Sequence, residues 1–153
     1  MYTLKTKASF DSAHFLAGYA GKCANLHGHC WVIEVEAAGN ELTENGEKRG
    51  MLIDFGDLKK AVRALADSFD HAFIFEKGSL KENTLAALND EGFRLIEVPY
   101  RPTAENFAKA FYEKLKNDGL PVSRVTVYET ADNCASYQEL YNNHKRQDLY
   151  EPI

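Results

Sequence analysis

Cysteine is scarce and poorly spaced. Cys23, Cys30 and Cys134 are odd in number and contain no Cys-x-x-Cys pair, which excludes a disulfide framework and a four-cysteine zinc site. They are expected to be free thiols, with Cys30 and Cys134 filling the small buried apolar role usual for this residue. No run of about 20 apolar residues is present to span a bilayer, and Met1 to Lys7 lacks the apolar centre of a signal peptide. A cytoplasmic protein without a membrane partner is the expectation. Basic runs are also missing: 18 Lys and Arg are scattered among 23 Asp and Glu, for a net charge of -5. Nothing there tracks a phosphate backbone, so nucleic acid is excluded as a partner and a small molecule is favoured. There are neither internal repeats nor low-complexity segments.

What remains is one foldable unit. With 153 residues, 44% of them hydrophobic, and nine Phe and eight Tyr, the chain is long enough to bury one core and too short for two. Residues 1–153 are therefore read as a single domain. Tyr2 to His14 alternates as a strand, with Leu4, Ala8, Phe10 and His14 on one face and Lys5, Lys7 and Asp11 on the other. A second strand runs from His27 to about Ala37, its odd positions His27, His29, Trp31, Ile33 and Val35 sharing a face and Glu34 and Glu36 opposing them. Met51-Leu52-Ile53 is strand-like after a polar turn.

From Asp54 the period becomes helical through Leu58, Val62, Leu65 and Phe69, and the helix ends near Asp70. Leu80 to Leu88 reads as a short helix before a strand-like Phe93 to Val98. A second clear helix opens at Pro102-Thr103, with Thr103 as cap and Phe107, Ala108, Phe111 and Leu115 as its stripe, and closes at Gly119 and Pro121. Val122 to Thr130 and a segment from Asn133 through Tyr137 to Leu140 are the last strands. The order predicts an α+β fold, a four-stranded antiparallel sheet with two helices on one face, whose open edges invite pairing with other subunits.

The chemistry concentrates in His14 and in Cys23-Ala24-Asn25-Leu26-His27-Gly28-His29. Two histidines at i and i+2 on a strand project from one side, and a third at the end of a neighbouring strand completes a three-nitrogen cap for a metal. Gly28 is read as leaving room between them. Imidazole suits zinc, and three protein ligands on a tetrahedral ion leave one place for water or substrate. Spacing alone leaves open the alternative of ordinary polar or satisfied core histidines. Cys23, in the loop before them, would gain thiolate character beside a cation. Asp70-His71, at a helix C-terminus, is either a proton-transfer pair or a helix-end polar contact. Glu129 shares a face with Val125 and Val127, and reads either as half of a salt bridge or as an anchor for a ring edge with adjacent N–H donors.

These residues resemble the 6-pyruvoyl-tetrahydropterin synthase and 6-carboxytetrahydropterin synthase family of the tunnelling fold. The resemblance lies in the order of Phe10-x-Ser12-Ala13-His14, Cys23-x3-His27-Gly28-His29, Met51 to Lys59, Asp70-His71, Pro102-Thr103-Ala104-Glu105-Asn106 and Glu129-Thr130. It implies zinc on His14, His27 and His29, with Cys23, Asp70 and His71 as the catalytic, proton-transferring set. Glu129 is implied as the pterin anchor, and Thr103 and Glu105 as further substrate-binding residues. It also implies a homohexamer of two trimers closing into a barrel, with pockets between subunits. Three residues between Cys23 and His27 are similar to the carboxy-forming branch, which implies conversion of 7,8-dihydroneopterin triphosphate to 6-carboxy-5,6,7,8-tetrahydropterin, a step toward queuosine and related deazapurines. Rival readings are the pyruvoyl product, cleavage of unphosphorylated dihydroneopterin, and a non-catalytic zinc- or pterin-binding protein. Lys22 is a candidate for the triphosphate by position. The chain departs from the family after His71, where Ala72-Phe73-Ile74-Phe75 replaces the usual Leu-Asn ending.

Overall fold

The structure is a computed structural model that describes residues 1–139. Its spine is a long hairpin made by alternation. Along β1 (Tyr2–His14), Thr6, Phe10, Ser12 and His14 are buried while Lys5, Lys7, Ser9 and Asp11 are exposed. In β2 (His27–Gly39), Trp31, Ile33, Val35 and Ala37 are buried. The strands pair antiparallel over their whole length, from Tyr2 opposite Gly39 to His14 opposite His27. Because side chains alternate, this register puts one face of both strands into the core and leaves the other to water, where Lys5 and Lys7 pair with Glu34 and Glu36.

Two helices cover the core face. Asp54 caps α1 (Phe55–Phe69) by accepting from the Gly56 N–H at 2.6 Å, and Leu58, Val62, Leu65 and Ala66 turn inward. Thr103 caps α3 (Ala104–Asn117) through the Asn106 N–H, and α3 buries Phe107, Ala108, Phe111, Tyr112 and Leu115. Phe10, Trp31, Phe107 and Phe111 meet at the centre, with Phe107 and Phe111 stacked at 5.5 Å and Trp31 edge-on to Phe107 at 5.1 Å. Burying an aromatic side chain of this size contributes on the order of 2–3 kcal/mol, so this cluster fixes how the helices sit on the sheet.

The sheet is larger than the alternation predicts. It has six strands in the order β4-β3-β1-β2-β5-β6, and is mixed rather than antiparallel. The antiparallel side is extended by β5 (Val122–Tyr128) and β6 (Cys134–Tyr137). On the other side β3 (Ala72–Glu76) runs parallel to β1, and β4 (Leu95–Val98) parallel to β3. The segment that departs from the family ending, Ala72 to Phe75, is thus a parallel strand. Its burial has no period of two, as expected of a strand covered on both faces. A third helix, α2 (Glu82–Asp90), makes the crossover between β3 and β4 that parallel pairing requires, and buries none of its side chains.

Three smaller expectations are also corrected. Met51-Leu52-Ile53 forms no strand; Leu52 packs against the end of β2, where a Cβ on Gly39 would meet it at 2.4 Å, and Ile53 packs against the core. Cys30 and Cys134 are exposed rather than buried, Cys30 because it falls on the outward face of β2. A hydrogen bond with Asp11 pushes the Cys30 thiol pKa up. The strand expected through Leu140 is present as Cys134–Tyr137, and Leu140 lies outside the described residues. No helix among the described residues is long and apolar enough to cross a membrane.

Candidate metal centre

The β1–β2 register builds the site. His14 stands directly opposite His27, and Ser12 opposite His29, so all three imidazoles leave the core face within one cross-strand neighbourhood. Ring centroids are 4.5 Å apart for His14 and His27, 5.2 Å for His14 and His29, and 5.0 Å for His27 and His29. One nitrogen from each lies within 4.8 Å of the others. Gly28 serves a different purpose from the room expected of it: a Cβ there would press on the Ser12 carbonyl at 3.2 Å, so its smallness keeps the two backbones in register.

Main-chain carbonyls fix two of the rings. A carbonyl only accepts, so His14 donates from Nδ1 to Pro102 O at 2.7 Å and His27 donates from Nδ1 to Asn25 O at 2.7 Å. Their Nε2 lone pairs are left facing the shared space. The Nε2 atoms of His14, His27 and His29 are all buried without a hydrogen-bond partner, which is costly unless something else occupies the lone pairs. Burial is the main cause that lowers the pKa of both His14 and His29; the hydrogen bond to the Pro102 carbonyl opposes it at His14, neighbouring imidazoles add to it, and Glu129 opposes it at both. Three imidazole nitrogens aimed at one space are a donor set that fits zinc. Pro102 was invisible to sequence reasoning, because a carbonyl acceptor 88 residues from its histidine carries no side-chain signal.

Trp31, the single tryptophan, lies edge-on beneath the group, 5.0 Å from the His14 ring and 5.3 Å from His29. Its emission should therefore report metal binding. A zinc titration of metal-free protein should change Trp31 fluorescence and saturate at one ion per chain. Apparent affinity should hold near neutral pH and fall as acid protonates the imidazoles. Because the pKa values of His14 and His29 are depressed, proton competition at these two ligands should set in below the ordinary imidazole value of 6.5.

Glu129 follows β5 directly, and its Oε1 lies 3.6 Å from His14 Nε2 and 3.5 Å from His29 Nε2. Among the described residues it forms no ion pair with Lys or Arg. The carboxylate borders the open side of the imidazole group. Cys23 sits half-buried in a short 3-10 turn, Lys22–Ala24, two residues before the Asn25 carbonyl that holds His27. Its own carbonyl accepts from Leu16 N–H at 2.9 Å, and Arg101 donates to Ala17 O, tying down this loop. Cys23 is not part of the metal-holding group. Thr103 is occupied as the α3 cap and Glu105 is exposed in the first turn of that helix, both next to the Pro102 carbonyl.

Asp70 and His71 lie elsewhere. Asp70 Oδ1 accepts from the Asp11 N–H at 2.8 Å, and His71 N–H donates to Asp11 O at 2.7 Å. The Asp11 N–H, followed by the His71 ring, holds the Asp70 carboxyl below its usual range. Asp70 Oδ2 is 2.7 Å from His71 Nδ1, which orients the ring and leaves Nε2 outward. His71 has φ 51°, a left-handed conformation that costs a non-glycine residue about 1–2 kcal/mol. His71 borders a cleft of about 650 Å³ with Asp11, Cys30, Phe73, Phe93 and Arg94, and of the three metal-site histidines only His29 reaches it. Among the described residues no hydrogen bond or ion pair joins Asp70 or His71 to Cys23: the Asp70–His71 pair is tied to Asp11 in β1, and Cys23 to Leu16 in the loop after it.

Three convergent imidazoles with unpartnered Nε2 atoms, on a helix-covered sheet, make a site equipped to hold a divalent ion. The model of the 6-pyruvoyl tetrahydropterin synthase family matches residues 3–140, and the chain belongs to this family of enzymes. It is 39% identical over 142 residues to the 6-carboxy-5,6,7,8-tetrahydropterin synthase of Haemophilus influenzae, covering 91% of this chain and 100% of that one. It is 34% identical to the protein of the same name from Aquifex aeolicus over 128 residues, 77% of this chain and 76% of that one. Among solved structures, Caenorhabditis elegans 6-pyruvoyl tetrahydropterin synthase superposes with a TM-score of 0.64 at 26% identity, covering 91% of this chain and 96% of that one. An uncharacterized protein from Wolinella succinogenes shares the fold with a TM-score of 0.75 at 21% identity, covering 91% and 98%.

Proposed function

We propose that the protein is a zinc-dependent 6-carboxy-5,6,7,8-tetrahydropterin synthase, a lyase that converts 7,8-dihydroneopterin triphosphate and water to 6-carboxy-5,6,7,8-tetrahydropterin, acetaldehyde and triphosphate. The observation that carries this reading is the set of three buried Nε2 atoms that face one another without a hydrogen-bond partner, with the Glu129 carboxylate near those of His14 and His29. The relatives bearing that name, up to 39% identical over most of the chain, favour the carboxy product. His14, His27 and His29 would hold the ion, with Nδ1 of the first two fixed by carbonyls so that Nε2 faces it. A bound zinc would supply Lewis acidity to substrate hydroxyls at its open position.

The chain's own residues do the rest. Glu129, whose carboxylate lies beside the imidazole group, accepts from the N–H edge of the pterin, and Thr103 and Glu105 flank the substrate from the start of α3. Cys23 takes and returns protons at Sγ during triphosphate elimination and carbon–carbon cleavage. His71 does so at Nε2, with the ionised Asp70 holding its Nδ1 proton. In this reading Cys23 of one subunit meets the Asp70–His71 pair of another, so the complete site is formed between subunits. Among the described residues the four-residue strands β4 and β6 form the edges of the sheet, where ladder groups can serve such assembly. A cytoplasmic homohexamer of two trimers, working toward queuosine-type deazapurines, is the assembly and setting this reading assigns.

Zinc-loaded protein given 7,8-dihydroneopterin triphosphate should release acetaldehyde and triphosphate in equal amounts with one 6-carboxytetrahydropterin. Triphosphate release without acetaldehyde would assign the pyruvoyl product instead, and preference for the unphosphorylated substrate would assign a dihydroneopterin-cleaving enzyme. Tight pterin binding with no turnover would make the chain a binding protein.

A further inference from the structure

The turn that carries His71 is held from a distance. Helix α1 ends without a basic residue in its last turn, although the free carbonyls and the negative end of a helix favour a cation there. Arg94 supplies it from the residue before β4. Its Nη1 donates to Asp70 O at 2.9 Å, and its Nη2 to Ser68 O at 2.8 Å and Asp67 O at 3.4 Å. The Arg94 backbone is itself anchored, its carbonyl accepting from the Phe73 N–H at 2.9 Å. All the hydrogen bonds of this guanidinium among the described residues go to main-chain oxygens, so its contribution is to geometry.

The peptide group between Asp70 and His71 shows what that geometry does. Its N–H end is bonded to Asp11 O at 2.7 Å, and its C=O end to Arg94. A planar peptide fixed at both ends cannot rotate, and the next bond along the chain is the one about which His71 takes its unfavourable φ of 51°. Asp70 is fixed twice more, through Oδ1 to Asp11 and Oδ2 to the His71 ring. Removing the guanidinium frees the carbonyl end and lets residue 71 relax toward negative φ, which swings the imidazole away from Asp70.

We propose that Arg94 is a positioning residue for the Asp70–His71 pair, locking the peptide that holds His71 in its left-handed conformation. Its effect on turnover rests on the functional reading above; its effect on the turn does not. In Arg94→Ala, the His71 amide should exchange with solvent faster than in the parent protein, while the Trp31 response to zinc stays the same. Misplacement of a proton-transfer group by about 1 Å costs on the order of 10²-fold in rate, so kcat should fall by about that factor with KM changed less than about threefold. Guanidinium ion at low millimolar concentration should restore part of kcat in Arg94→Ala and none in His71→Ala. Arg94→Lys, which reaches fewer carbonyls with a single ammonium, should fall between the parent and Arg94→Ala.

Unchanged His71 amide exchange in both variants would overturn the proposal, as would a loss confined to KM. If the parent protein turned over no pterin triphosphate, the functional reading would fail, and the amide exchange would still decide the claim about Arg94.

Discussion

Replacing His29 with alanine should empty the metal site without unfolding the chain. His29 is the appropriate probe because its side chain is 19% exposed, whereas His14 is 1% exposed and its loss would also open a hole beside Trp31. Removing one of three nitrogen donors should weaken zinc binding on the order of 10²–10³-fold, since each ligand carries a few kcal/mol of the affinity of a typical zinc site. Metal analysis after gel filtration should fall from about one zinc per chain to a small fraction of that, and turnover should fall with it. Melting temperature measured without metal should be close to that of the metal-free parent. A His29→Ala protein that kept its zinc would show that the ion is held by other groups.

The second large effect concerns the division of the catalytic set. Cys23→Ala and His71→Ala should each lower turnover by about 10²–10⁴-fold, the range for loss of a general acid or base, while each keeps its zinc. Within a chain, Asp70 and His71 are bonded to Asp11, and Cys23 lies in the loop tied to Leu16 and Arg101. If each working site joins the thiol of one subunit to the imidazole of another, random mixing of the two inactive variants yields intact sites. Co-expression in equal amounts should then recover about a quarter of the parent activity, because half the thiols meet half the imidazoles. No recovery from hexamers shown to contain both variants would place the two groups in the same chain's site and contradict the reading.

How much of this could be read from residues alone depends on where each feature keeps its information. The β1–β2 hairpin announces itself through alternation, and because His14, His27 and His29 follow that alternation, the metal group was legible with it. Helices α1 and α3 were legible through their 3.6-residue stripes, and α3 also through its cap Thr103; the cap Asp54 of α1 was not read. Strand β3 was not, since Ala72 to Phe75 is a continuous apolar run whose partner strand lies some 60 residues upstream, and parallel pairing leaves no local turn signal. Its neighbour β4 was read as strand-like but could not be joined to a sheet without it. Cys30 was misjudged by applying a general preference for burial against its own strand face. The supports were hidden altogether: Pro102 and Asn25 act through carbonyls, and Arg94 acts on carbonyls, so side-chain identity says nothing of either.

The central claim is that three imidazole nitrogens hold one zinc ion with its fourth place open to water or substrate. X-ray absorption at the zinc edge of the loaded protein tests it most directly. The account predicts one ion per chain, four light-atom neighbours at about 2.0–2.1 Å with the outer-shell scattering of three imidazoles, and no sulfur. A sulfur neighbour at about 2.3 Å would make Cys23 a ligand instead of a proton carrier, and protein that took up no zinc at all would contradict the account at its root.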